Sequence, residues 1–539
     1  MKKSRLIPLV LLGVLPLTSC YVFNPKYNLG NNSSSSETNT TEYIDFGTPE
    51  TKSNYSKDNL NVTNIGAGYG YHYLPSTGDS KILVIPVQVT DYTFETQYGK
   101  NYETTLNNVF FGDSDDTGWE SVSSYYYKSS YGKLLISGEI APTITINMTM
   151  SELTTAASKY DGNGSYTDDI VNQCVKYLSQ NSDIDLSEYD SDSDGYIDAI
   201  WMVYSMPYSR NSSFLWAYTT WTYENQTYDN VSTSCYSWAS YQFLMQQDYR
   251  TMSKPSYTTA GDAHTYIHET GHMMGLDDYY SYDYGKSNNS GSKDTPVGGI
   301  DMMDYNIGDH TAYSKYVLGW IKPDVITKEY LESNNYNLTL SSLTEKGKAF
   351  LLPIYKDGTM DYNGTPFDEY LLIEYYTPTN LNETDTKGYG SSKVATYKSS
   401  GVLVYHIDAR IGKIVATSNS ETTWDGNSYD SLPKYGSDIR WGRTYTYTYI
   451  FNNTKSYCQC QSLDDSNNNY YRGRLISLLP KSAKKIQGTS DASSLYRTGS
   501  SFDSSNYSSF MFDDGSKPLY GFSVKSTSTT DCVLEFSDF

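Results

Sequence analysis

Apolar and polar positions alternate in two textures along this chain. Residues 81–89, Lys-Ile-Leu-Val-Ile-Pro-Val-Gln-Val, form a nearly continuous apolar, β-branched run, the pattern of a strand buried on both faces. Helical spacing follows over 106–111 and 121–130, and 133–140 reads as a strand. Residues 168–178 again carry apolar positions at helical spacing, 197–204 is a second buried-strand candidate, and a helix is predicted around 262–274. To about Trp320 the pattern is thus an alternation of strands and helices. Beyond Lys322 it changes to short strand-like runs at 337–343, 349–355, 370–376, 401–407, 473–479 and 533–536. Polar, Gly- and Asn-rich turns separate them and no helical stretch is read among them, which predicts β-sandwich material.

The length of 539 residues implies more than one domain. Asp and Glu number 62 against 40 Lys and Arg, a formal charge of −22. A field of that sign repels phosphate backbones, so nucleic acid is excluded as a partner. Tyr is over-used at 57 residues, against 16 Phe and 8 Trp. At the start, Lys2, Lys3 and Arg5 precede an apolar stretch over 6–17, then Leu17-Thr18-Ser19-Cys20. The run is too short to stay in a bilayer and reads as an export signal. Its ending resembles the bacterial lipobox, so Cys20 is the expected lipidation site and the only membrane attachment. The segment from 21 to about 65 is rich in Asn, Ser and Thr and reads as a flexible tether. About 40 such residues reach roughly 35 Å. The five other cysteines cannot all pair within one chain.

The strongest chemical signal is His268-Glu269-Thr270-Gly271-His272-Met273-Met274-Gly275-Leu276-Asp277-Asp278. On a helix, His268 and His272 lie one turn apart on one face and present two imidazoles to one zinc ion. Glu269 stands beside them, placed to hold a water at the metal and take its proton. Gly275 permits a sharp turn that lets Asp278 return as the third, anionic ligand. His264 extends the ladder to three turns, but a straight helix sets the outer pair roughly 12 Å apart, so His264 is read as a packing or supporting residue. His310 is the alternative third ligand.

A second motif, Asp190-Ser191-Asp192-Ser193-Asp194-Gly195-Tyr196-Ile197-Asp198, spaces carboxylates so that Asp190, Asp192, Asp194 and Asp198, with the Tyr196 carbonyl, converge on a calcium ion. Trp201 stands where an EF-hand needs its bidentate Glu, so the loop is not a complete EF-hand and its role is read as structural. His406 and Asp408 share a strand face; with no third partner visible they read as packing residues. Neither a G-x-S-x-G elbow nor a G-x-x-x-x-G-K phosphate loop occurs.

Downstream of the histidines stands Gly299-Ile300-Asp301-Met302-Met303-Asp304-Tyr305-Asn306. Here the sequence resembles the metzincin metallopeptidases, whose zinc helix is followed by a turn carrying a Met beneath the metal. Met303 fits that place, with Met302 as the alternative. The resemblance implies that Tyr305 binds the oxyanion or the resting zinc. Within that clan the chain is similar to the immune inhibitor A family of secreted bacterial metallopeptidases. The likeness includes residues 121–134, Lys315-Tyr316-Val317-Leu318-Gly319-Trp320, and the stretches 369–374 and 401–408. No folded propeptide is apparent before the first strand, a departure from that family.

The resulting expectation is an α+β chain. It comprises a lipoprotein signal (1–20), a tether (21–65), a metzincin-like zinc metallopeptidase domain (66–322) and a β-sandwich-type region (323–539). It is expected to be a surface-anchored monomer that hydrolyses extracellular protein or peptide substrates, with catalytic zinc and structural calcium. The rival expectation is a non-catalytic adhesin or glycan-binding protein using a Tyr-rich face.

Overall fold

The computed structural model describes residues 72–159, 164–209, 211–222, 225–245, 261–280, 296–387, 397–409, 475–483, 490–512 and 515–539, with the backbone of 411–416 and 445–450. The signal and Cys20, the tether, Cys458 and Cys460 lie outside the described residues. The chain mixes helices with several sheets, an α+β architecture. Packing divides it into two units, one built on residues 70–276 and one on 277–387 with 394–539. The boundary expected near Pro323 differs from the packing division, which falls between Leu276 and Asp277.

The first unit is built on a sheet. Its strands are β1 (Gly78–Val89), β2 (Leu134–Ile140), β3 (Ile144–Ile146), β4 (Ile200–Tyr204), β5 (Tyr218–Trp221) and β6 (Cys235–Ser240). The order is β2-β1-β4-β6-β5, with β3 also pairing β1. All pairs are parallel except β6 with β5, which places an antiparallel strand at the edge. Burial on both faces explains the unbroken apolar run of β1. Leu83, Ile85, Val87 and Val89 join a core with Ile170, Val171, Val175 and Leu178 of helix α1 (Gly164–Asn181). On β4 the alternation sends Met202 and Tyr204 into that core, whereas Trp201 meets Phe110 and stacks on Tyr266. Tyr266 belongs to helix α2 (His264–Met273).

The second unit contains two main sheets, antiparallel apart from the short parallel strand Asp324–Val325. One holds β8 (Ala349–Lys356), β9 (Glu369–Tyr376), β10 (Gly401–Asp408) and β11 (Ile476–Leu478). The other holds β7 (Asn337–Ser341), β12 (Ser501–Phe502), β13 (Tyr520–Thr527) and β14 (Asp531–Asp538). Alternate residues of both, such as Leu338 and Leu340, Phe350 and Leu352, Leu371 and Ile373, Phe522 and Val524, form one shared core. Each contributes about 1.5–3 kcal/mol on burial.

Two expectations for this region are corrected. It does contain a helix, Lys328–Ser333, started by the Thr327 hydroxyl accepting from the Tyr330 amide. It also contains β13, whose alternation Tyr-Gly-Phe-Ser-Val was not read as a strand.

Most of the described tyrosines are buried. Among the described tyrosines only Tyr127 is classed as exposed. Buried hydroxyls reach backbone carbonyls: Tyr126 donates to Ile267 at 2.6 Å, Tyr266 to Ser240 at 3.0 Å and Tyr370 to Pro366 at 3.0 Å. A residue that fills the core with a ring and satisfies a carbonyl at its tip suits packing and polarity together. Cys174, Cys235 and Cys532 are free and buried, and burial pushes the Cys174 thiol up to about 12.

Candidate metal centre

Helix α2 carries the first motif and is buried along its whole length. At its start the Asp262 carboxylate accepts from the His264 amide at 3.0 Å and contacts His264 Nδ1 at 2.8 Å. The His264 ring stacks on Trp119 with 4.0 Å between centroids. In the middle, the Trp201 indole N–H donates to Thr270 Oγ1 at 3.1 Å. At the end, Gly275 has φ +91°, a conformation in which a side chain is strained. This turn carries the chain through Leu276 to Asp277 and Asp278.

The turn sets the chemistry of His272. Its Nδ1 lies 2.7 Å from the Leu276 carbonyl oxygen. A carbonyl only accepts, so the Nδ1 carries the proton and Nε2 keeps its lone pair. That Nε2 lies 3.2 Å from Nε2 of His268. Two nitrogens each about 2.0–2.1 Å from one tetrahedral zinc ion are about 3.3 Å apart. One ligand atom from each of His268, His272 and Asp278 lies within 4.8 Å of the others, and all three residues are buried. Two imidazoles and one carboxylate in this spacing fit a zinc ion. His310 is not part of the group; it faces a separate cavity and its ring centre is 5.8 Å from that of Trp320.

Glu269 is buried beside these ligands on the same helix. The Thr219 hydroxyl lies 3.0 Å from its Oε2, 2.9 Å from its backbone carbonyl oxygen and 2.7 Å from Ser237 Oγ. Thr219 and Ser237 are directly paired across β5 and β6. With Ser237 donating to Thr219, the Thr219 proton points to Glu269, and two strands thereby orient one carboxylate. Sequence reading missed both hydroxyls. The only signal was a Thr pair inside Tyr-Thr-Thr-Trp, which carries no chemistry by itself.

The Met302–Tyr305 segment forms a short helix, α3, capped by Asp301, whose Oδ1 accepts from the Met303 amide at 2.6 Å. Met302 and Met303 are buried and Tyr305 is half-buried. The Met303 carbonyl accepts from the Tyr279 amide at 2.8 Å, which ties this turn to the residue following Asp278.

The acidic loop is organised by its own backbone. Asp190 accepts from the Asp194 and Gly195 amides at 2.9 and 3.0 Å, Asp194 from Tyr196 at 2.9 Å, and Asp198 from Ser191 at 2.9 Å. Gly195 has φ +89°. Asp190, Asp192 and Asp194 gather their oxygens within 4.8 Å; Asp198 stands outside that group, buried. Burial pushes the Asp198 carboxyl up to about 7, with the charges of Asp192 and Asp190 adding to the rise. Ile197 is buried and its amide donates to the Ser232 carbonyl at 2.9 Å, anchoring the loop just before β4. His72 is an unread participant. Its Nδ1 is 2.5 Å from Asp194 Oδ2 and its ring stacks on Tyr196 at 3.4 Å. Nothing in the sequence points to it from 122 residues away.

His406 gains the partner that the sequence did not reveal. Its Nε2 is 2.9 Å from Glu369 Oε1, both buried, and Glu369 pairs directly with Asp408 across β9 and β10. No protein-family model matches the chain, and no curated protein matches it.

Proposed function

We propose that this chain is a zinc-dependent endopeptidase, carried on the outside of a bacterial cell by a lipid anchor at Cys20 and acting on extracellular proteins or peptides. The observation that carries the reading is the buried His268, His272 and Asp278 group with Glu269 one position from its first ligand. A metzincin-like domain of the immune inhibitor A type would use these residues as follows.

His268, His272 and Asp278 would hold the ion, and the Met303 turn is tied to Tyr279, the residue after Asp278. Zinc, when bound, supplies a Lewis acid that polarises a scissile carbonyl and makes water easier to deprotonate. Glu269 takes a proton from the attacking water and passes it to the leaving amine nitrogen. The Thr219 proton, shared between the Glu269 backbone carbonyl and Oε2, orients the carboxylate before substrate arrives. Tyr305 donates to the developing oxyanion. The loop at Asp190, Asp192 and Asp194, with the Tyr196 carbonyl, would hold calcium and brace β4, while Asp198 holds the Ser191 amide.

The adhesin alternative depends on a Tyr-rich surface, and the interior placement of the described tyrosines weighs against it. The direct test is a proteome-derived peptide library incubated with the exported chain, with and without a zinc chelator. Cleavage that chelation abolishes and zinc restores is the expected result. A chain that binds zinc stoichiometrically yet cuts nothing would favour the adhesin.

A further inference from the structure

The second unit encloses a cavity of about 20 Å³, room for one water-sized particle. Asp309, His310, Thr311, Thr344, Glu374 and Asn382 contribute to its wall. Two hydroxyls of that wall, Thr311 Oγ1 and Thr344 Oγ1, have no hydrogen-bond partner although their residues are only 4% and 3% exposed. Leaving such groups desolvated costs about 1–3 kcal/mol each. Glu374 Oε2 accepts from the Ala312 amide at 2.7 Å, while its Oε1 has only a long 3.4 Å contact with the Tyr405 hydroxyl.

Charge is unbalanced around the cavity. Asp301, Asp309, Glu374 and Asp385 are all buried in this region, and Lys315 is the one buried Lys or Arg among the described residues. Lys315 is committed to Asp309 at 2.8 Å. Asp301 is served by the Met303 and Thr311 amides and Asp385 by the Gly308 amide. Glu374 lines the cavity together with the two hydroxyls. Buried charges are tolerated when they are paired or when they coordinate a metal.

We propose that this cavity is a binding site for a hard divalent cation of the calcium type, held by carboxylate oxygens of Glu374 and Asp309 and the hydroxyls of Thr311 and Thr344. The side chains assigned as donors offer oxygens, which such a cation prefers, and the His310 imidazole stands beside them in the wall. The ion joins the 308–311 segment to strand β9 and to Thr344. This site is separate from the acidic loop, which belongs to the first unit, and does not depend on the peptidase reading.

The test uses the full chain, zinc-saturated, with Glu269→Gln to prevent self-cleavage and Asp190→Asn with Asp192→Asn to disable the acidic loop. Calcium chloride is titrated calorimetrically and melting is followed by circular dichroism. One calcium per chain should remain and raise the melting temperature. Glu374→Gln should abolish it. Thr344→Val, which keeps every charge and guards against a folding defect, should weaken it by about tenfold or more. A loop-disabled chain that binds no calcium overturns the site. So does residual binding that both variants leave unchanged, an equal melting shift with sodium chloride at matched ionic strength, or a calcium-grown crystal with only water in the cavity.

Discussion

The His268–Asp278 group and the Asp190–Asp198 loop are each built from about ten consecutive residues with a glycine at a turn, yet they are organised by opposite means. In the first, a helix buried along its length presents the imidazoles, and other elements (Trp201, Tyr126, Thr219 and Ser237) hold the helix and Glu269 in place. In the second, the loop's own amides hold the carboxylates, two of which, Asp192 and Asp194, remain exposed. A site whose geometry comes from the surrounding fold loses function when a distant hydroxyl is removed. A loop whose carboxylates are held mainly by its own amides loses chiefly what those carboxylates supply. Exposure also leaves the loop open to screening by salt, which the buried group largely escapes.

The sharpest way to break this contrast is Glu269→Gln. Zinc should stay stoichiometric by metal analysis while kcat falls about 10²–10⁴-fold, the range for a general acid–base group; an active Glu269→Gln enzyme removes the proposed mechanism. Next is Thr219→Val, which deletes the hydroxyl and keeps the shape. Steady-state kinetics should show kcat reduced about 10- to 100-fold with KM little changed, and Thr219→Ser should recover most of it. If Thr219→Ser behaves like Thr219→Val, the hydroxyl is not what positions Glu269.

In the loop, Asp190→Asn with Asp192→Asn should shrink the calcium-dependent rise in melting temperature without reducing bound zinc. A ligand at about 100 times its Kd stabilises by about 2.7 kcal/mol, or roughly 5–10 °C for a unit of 150–250 residues. An unaltered calcium response would mean that the loop binds none. The smallest effect belongs to His72→Phe, which keeps an aromatic ring for Tyr196 and frees Asp194. Calcium titration should show affinity tightened by less than about tenfold, because a partly exposed pair is worth at most about 1 kcal/mol; a loss of affinity would make His72 a support for the loop instead of a competitor.

Much of the fold was legible because periodicity reports burial directly. The run from 81 to 89 became β1, the stretches 349–355 and 370–376 became β8 and β9, and 168–178 fell within α1. Short or polar elements escaped: β5 is four residues long, and β13 alternates its apolar residues with Gly521 and Ser523, so its run of five holds only three apolar side chains. The motif residues of the candidate centre were legible for a different reason. Helical geometry places residues four apart on one face, and a glycine turn brings Asp278 back within reach, whatever surrounds them.

What the sequence alone determined is therefore local: the spacing of the candidate metal residues, the glycine turns, the carboxylate rhythm of the loop, and which runs must be buried. The tertiary structure decided which side chains support them. Thr219, Ser237, His72 and Glu369 come from other strands and segments, and only pairing across a sheet or packing of distant chain brings them to Glu269, Asp194 and His406. The tyrosines show the same division. Their number was visible at once, but only packing assigned most of those described to the interior, because a ring with a hydroxyl tip can face water or a buried carbonyl equally well.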